Sequence, residues 1–183
     1  ERKSGDRKIL LRCEGLDTLA EISLNGNFVA STKNMHRTYE FEVSKHLKDG
    51  ENEIEITFRS PNKYVAGKYA NEELMGSTDA LKGLMHLRKA HCMFGWDWGA
   101  RLPDAGIWRD ISLIRENSAR LADVRITQRH DGGKVFVTVN AEIGGSADAD
   151  IEIMSPLGKK ISAVNGEETE IKNPLLWWPN GLG

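Results

Sequence analysis

Two cysteines in 183 residues, Cys13 and Cys92, are too few and too far apart for a CxxC metal pattern or for the dense framework of a small secreted domain. Both read as free thiols, and nothing supports a disulfide between them. Charge of one sign is equally thin: 25 basic against 27 acidic side chains leave a formal charge of -2, and no Lys/Arg run exceeds two. Without a basic stripe, binding to nucleic acid or to a membrane surface has no electrostatic footing. No apolar run approaches the roughly 20 residues that span a bilayer. The opening ERKSGDRK is charged and lacks the apolar stretch of a signal peptide, so a cytoplasmic location is expected. There is also no initiator Met, and the chain stops at WWPNGLG, which together read as a piece excised from something longer. Internal repeats and low-complexity tracts are absent.

What is present is a globular composition, 39% hydrophobic, enough for one large domain or two small ones. Period-two alternation predicts half-buried strands at Ile9, Leu11 and Cys13; at Ile22 and Leu24; at Tyr39, Phe41 and Val43; at Ile54, Ile56 and Phe58; and at Ile111 and Leu113. Asn25-Gly26 has the positive-φ tolerance of a two-residue hairpin turn. DGEN at 49–52 predicts another turn, preceded by one helical turn over 44–48 with Ser44 as its cap. Ser60-Pro61 is a helix start signal, so a helical or irregular insertion is expected from there through NKYVAGKYANEEL. Residues 79–90, DALKGLMHLRKA, have a rough helical spacing that Gly83 weakens.

After Ile114 the composition turns polar and a second set of alternating strands follows, at Val124 and Ile126, at Val135, Val137 and Val139, and at Ile151 and Ile153. A domain boundary is expected near Asn117. The short strands, punctuated by DGG, GGS and PLG, suggest an antiparallel sandwich of immunoglobulin type, without the Cys-Trp-Cys signature of the antibody domains.

Three of the five tryptophans fall within thirteen positions, in HCMFGWDWGARLPDAGIW. In an extended segment Trp96 and Trp98 would face one side and Asp97 the other, as core packing would have it. Gly95, Gly99 and Pro103 instead mark a loop, and bulky aromatics with one acid on a loop resemble a small-molecule site. Sugars suit it: a pyranose has an apolar C–H face for an aromatic ring and hydroxyls that donate to a carboxylate.

Taken together, GLDT at 15–18, NG at 25–26, Asn34, RKA at 88–90, GWDWG at 95–99 and GIW at 106–108 resemble, in order, the N-terminal domain of the beta-mannosidases of glycoside hydrolase family 2. NPLLWWPNGLG resembles a segment near the end of their second domain. The resemblance implies an all-β fold: a jelly-roll, galactose-binding-like sandwich over 1–117, with its first strand missing, and an immunoglobulin-like sandwich over 118–183, with its C-terminal part missing. It implies a catalytic (β/α)₈ barrel beyond the chain, which carries both catalytic glutamates; none is expected here. Retention needs two carboxyl groups about 5 to 5.5 Å apart, and Asp97 with Asp104, or Glu72 with Glu73, does not build such a pair. The carried-over role falls to Asp97, as a hydrogen-bond partner of the terminal mannose, with Trp96 and Trp98 shaping the substrate-binding loop. The parent's partners would be a beta-mannoside oligosaccharide or glycoprotein glycan and the barrel itself, with no cofactor. An autonomous lectin-like module, or another family 2 activity such as beta-galactosidase, stands as the alternative.

Arg88 and Trp108 are assigned to supporting the loop, Arg88 because a single basic pair beside an aromatic loop more often fixes it than binds an anion. His86, His91 and Cys92 lack the closed three- or four-ligand set of a metal site, so no metal is expected. WWPNG at 177–181 is assigned to an interface with the barrel, and the exposed apolar patch left in the barrel's absence predicts self-association. Alanine at position 100 stands where the family commonly has proline, a departure that touches loop rigidity more than chemistry.

Overall fold

The computed structural model describes residues 8–116 and 119–182. The chain forms two compact units, 1–117 and 118–183. The boundary expected near Asn117 thus falls at residues outside those described.

The first unit contains β1 (Lys8–Cys13), β2 (Leu16–Asp17), β3 (Leu19–Leu24), β4 (Asn27–Lys33), β5 (Tyr39–Glu42), β6 (Ile54–Phe58), β7 (Gly106–Ile107) and β8 (Ile111–Glu116). They pair antiparallel in the orders β5-β1-β8, β4-β3-β6 and β2-β7. Alternation explains the core: Ile9, Leu11 and Cys13 from β1 meet Ala20, Ile22 and Leu24 from β3, with Leu16 and Val43, and all are buried. Burial of Cys13 pushes its thiol up to about 11, because the thiolate would have to leave water. Alternation does not guarantee burial at the edge strand: Ile111 and Leu113 pair with Cys13 and Leu11 yet stay exposed.

The turns follow their chemistry. Asn25 (φ 51) and Gly26 (φ 77) close β3 onto β4 as a two-residue hairpin. Asn25 also holds the neighbouring turn, donating to the His46 carbonyl and Asn52 Oδ1, each at 2.8 Å, and accepting from the Glu53 amide at 3.0 Å. Ser44 opens a short 3₁₀ turn to His46, but it is not the cap expected there. Its hydroxyl instead accepts the Ile9 amide at 2.8 Å, tying the turn to β1.

Helix α1 (Pro61–Tyr69) begins as the sequence suggests, with Pro61 in the first turn and Ser60 Oγ accepting the Lys63 amide. It ends before NEEL, shorter than the predicted segment. Residues 79–90 are not a helix. Gly83 sits at φ 85, and only a 3₁₀ turn over Leu84–His86 forms. A Cβ on Gly83 would lie 2.6 Å from the Val65 carbonyl, so α1 packs directly on this backbone. Val65, Ala80, Leu84, Leu87 and Phe94 make a small second core of the insertion.

The second unit has β9 (Arg120–Asp131), β10 (Lys134–Gly144), β11 (Ile151–Met154), β12 (Lys160–Ala163) and β13 (Glu168–Ile171), in sheets ordered β13-β10-β9 and β11-β12. Gly132 and Gly133, both at positive φ, make the β9–β10 turn. Apart from the α1 insertion, the architecture is all-β, of jelly-roll and immunoglobulin-like type. Val135, Val137, Ile153, Ile161, Ile171 and Trp177 line an apolar cavity of about 1180 Å³ in this unit. Among the described residues no helix is long and apolar enough to cross a membrane.

Candidate functional site

The loop carrying Asp97 leaves the insertion core at Phe94, which is fully buried and whose carbonyl accepts the Leu81 amide at 2.9 Å. Gly95 then takes φ 85 and ψ -178, a region essentially closed to other residues. A Cβ there would meet Arg101 Cγ at 2.4 Å and the carbonyl oxygens of Gly99 and Ala100 at 3.0 Å. The outgoing and returning limbs therefore touch at this glycine.

Between them Trp96 and Gly99 exchange backbone hydrogen bonds, Trp96 N–H to Gly99 O at 3.2 Å and the reverse at 3.4 Å. Residues 96–99 are thus a tight turn, not the extended stretch in which both rings would share a face. Asp97 and Trp98 occupy its tip. Trp98 is 87% exposed and Trp96 47%, so neither ring is core. Asp97 is exposed, and no described residue hydrogen-bonds its carboxylate. A carboxylate at the tip of a tethered turn, between two accessible ring systems, can accept hydroxyl protons while the rings offer apolar faces.

The return limb is fastened by the second residue of the basic pair, whose supporting role sequence reading assigned to Arg88. Lys89 is buried, its ammonium pairs with the buried Asp17 carboxylate, and it also donates to the Asp104 carbonyl at 2.8 Å. Thr18 Oγ1 donates to the other Asp17 oxygen. Arg101 reaches the Asp79 carbonyl at 2.9 Å and holds the middle of the loop. Arg88, by contrast, has an exposed side chain; its contribution is a backbone carbonyl that accepts the Met35 amide at 2.9 Å. Leu87 and Lys89 are buried on either side of it, as extended backbone requires. The signal was available: next to a buried Leu87, alternation turns Lys89 inward, where its charge needs an acid such as Asp17.

Trp108 closes the loop. Its indole N–H donates to the Met35 carbonyl at 3.1 Å and its amide to Gly15 O at 3.1 Å, while Arg109 lies over the ring at 4.2 Å. A side chain on Gly15 would collide with the indole at 2.5 Å, so the glycine of GLDT makes room for the tryptophan of GIW. Cys92 is an exposed free thiol and His86 contacts the Glu72 carbonyl at 2.9 Å. Among the described residues no three His, Cys, Asp or Glu side chains are grouped to hold a metal ion.

Comparison with known proteins places the chain in a family. The chain is 31% identical over 192 residues to Beta-mannosidase B of Aspergillus terreus and 32% identical over 195 residues to Beta-mannosidase B of Neosartorya fischeri. Each alignment covers 96% of this chain but 22% and 23% of those proteins, so the chain spans under a quarter of their length. The crystal structure of Beta-D-Mannosidase from Dictyoglomus thermophilum superposes with a TM-score of 0.74 at 34% identity, over 97% of this chain and 24% of that one. A beta-glucuronidase of an uncultured Clostridium shares the fold alone, at 16% identity and a TM-score of 0.58 over 95% of this chain and 28% of that one. Residues 1–109 match the domain described as Glycosyl hydrolase 2 galactose-binding domain-like. With more than half of its length in that domain, the chain belongs to glycosyl hydrolase family 2.

Proposed function

We propose that this chain is the non-catalytic N-terminal portion of a retaining beta-mannosidase, in which Asp97 contacts the terminal mannose and the two sandwiches scaffold the catalytic barrel. The observation that carries the reading is Asp97 itself, an exposed carboxylate without a partner among the described residues, at the tip of a turn tethered on both limbs. The similarity to proteins named beta-mannosidase supports it.

In this reading Asp97 accepts hydrogen bonds from sugar hydroxyls, and Trp96 and Trp98 shape the approach, with Trp108 and Arg88 at the base of the loop. The contribution is orientation, not proton transfer: the paired carboxyl groups of a retaining mechanism belong to the barrel. In the full-length enzyme, Asp97→Ala lowers kcat/KM by about tenfold to a hundredfold, the range of one lost orienting hydrogen bond. Its melting temperature stays unchanged, because the carboxylate supports nothing in the fold. Unchanged kinetics would refute the role. Calorimetric titration of the 183-residue chain with mannose gives no measurable heat in this reading; saturable binding would favour an autonomous lectin-like module.

A further inference from the structure

We infer that Lys89 is the positioning residue of the Asp97 loop and acts through the Asp104 carbonyl; its pairing with Asp17 makes its own burial tolerable. The inference rests on the proposed role of Asp97, but its physical part stands apart from any substrate.

A lysine ammonium taken fully out of water needs compensation. Asp17 supplies the charge, held in turn by Thr18. That pair alone would stabilise β2 against the segment after Leu87 and would have no bearing on the loop. The Lys89 bond to Asp104 O is different, because Asp104 lies on the return limb. From Asp104 the chain runs through Pro103 and Leu102 to Arg101, whose Cγ lies against Gly95, and on to Gly99, which pairs with Trp96. Leu102 is 71% exposed, so packing does little to hold this limb. A charge-assisted bond from an immobile donor does what packing cannot, and fixes where the turn bearing Asp97 stands.

Two functions of Lys89 can be separated by replacing the pair as well as breaking it. Lys89→Met alone strands the Asp17 carboxylate and lowers the melting temperature of the first unit. Asp17→Asn combined with Lys89→Met removes both charges at nearly constant volume and recovers most of that loss.

Hydrogen exchange on the 183-residue chain then reads the loop. In the double variant the Trp96 and Gly99 amides exchange about tenfold faster or more, while β1 and β3 amides keep wild-type protection. Wild-type exchange at Trp96 and Gly99 in the double variant overturns the inference. Neither readout involves sugar, so failure here is distinct from failure of the Asp97→Ala kinetics.

Discussion

Replacing Gly95 by alanine tests whether the turn bearing Asp97 is a built feature or an incidental one. At φ 85 and ψ -178 a non-glycine residue carries roughly 1–3 kcal/mol of backbone strain. The new methyl would also lie 2.4 Å from Arg101 Cγ, near the root of a side chain anchored to Asp79 O, and 3.0 Å from two carbonyl oxygens. Against this stand the two backbone hydrogen bonds between Trp96 and Gly99, at 3.2 and 3.4 Å. Each contributes about 0.5–1.5 kcal/mol net. Strain and restraint are of the same size, so the turn opens and the sandwich survives. The expected result is loss of protection at the Trp96 and Gly99 amides in hydrogen exchange, with altered Trp96 and Trp98 emission. Protection in β1 and β3 persists, because Phe94 and the sandwich core lie outside the strained segment. In the full-length enzyme kcat/KM falls as it does for Asp97→Ala. Unchanged exchange at Trp96 and Gly99 would refute the reasoning, since it would mean the limbs can part without the turn noticing.

Thiol chemistry separates the two cysteines: a disulfide-exchange reagent labels exposed Cys92 in the native chain, and labels Cys13 only after denaturation. Because folding raises the Cys13 thiol from near 9 to about 11, its protonated form is favoured in the native state; that contribution is complete below about pH 9 and is lost as pH rises towards 11. Two units correspond to at most about 2.7 kcal/mol, visible as a falling urea midpoint that Cys13→Ala removes. Sedimentation of the isolated chain should show concentration-dependent association through the apolar surface that includes Leu175 and Trp177, 79% and 82% exposed; a Leu175→Ser, Trp177→Ser variant should sediment as a monomer, and a wild-type monomer at all concentrations would count against it.

How much of this was legible in the sequence depended on the range of the forces. Strands β1, β3, β5, β6 and β8 were marked by alternation, and the Asn25-Gly26 turn by its local φ preference. Strand β12 carries two apolar residues in four and β13 only Ile171, and neither was singled out, since what defines them is a partner across the sheet. Residues 79–90 have helical spacing, yet Gly83 adopts the left-handed conformation because α1 packs its Val65 carbonyl onto that backbone. That contact spans eighteen positions of sequence and has no local mark. At the site, residue identity pointed to Asp97 and its flanking tryptophans, and Gly95, Gly99 and Pro103 to a loop, but not to the paired backbone bonds that close residues 96–99 into a turn. Lys89 was passed over for Arg88, because a surface argument about basic pairs was applied to a residue that the alternation with Leu87 turns inward.

The position of the charges in this loop has a physical logic. Asp97 at the tip must stay hydrated and unpartnered if it is to trade water for sugar hydroxyls, so it cannot help hold its own loop. Trp96 and Trp98 cannot either, since rings spent on packing offer no face to a ligand. Restraint therefore has to come from residues behind the tip: Gly95, where the limbs meet; Arg101, on the Asp79 carbonyl; Lys89, on the Asp104 carbonyl; and Trp108, on Met35. Each acts on backbone, which leaves the side chains of the turn uncommitted. A turn held by its own side chains would have lost the groups it presents. This one keeps a carboxylate and two indoles exposed while its path is fixed from beneath, the arrangement that the proposed orientation of a substrate by this domain would require.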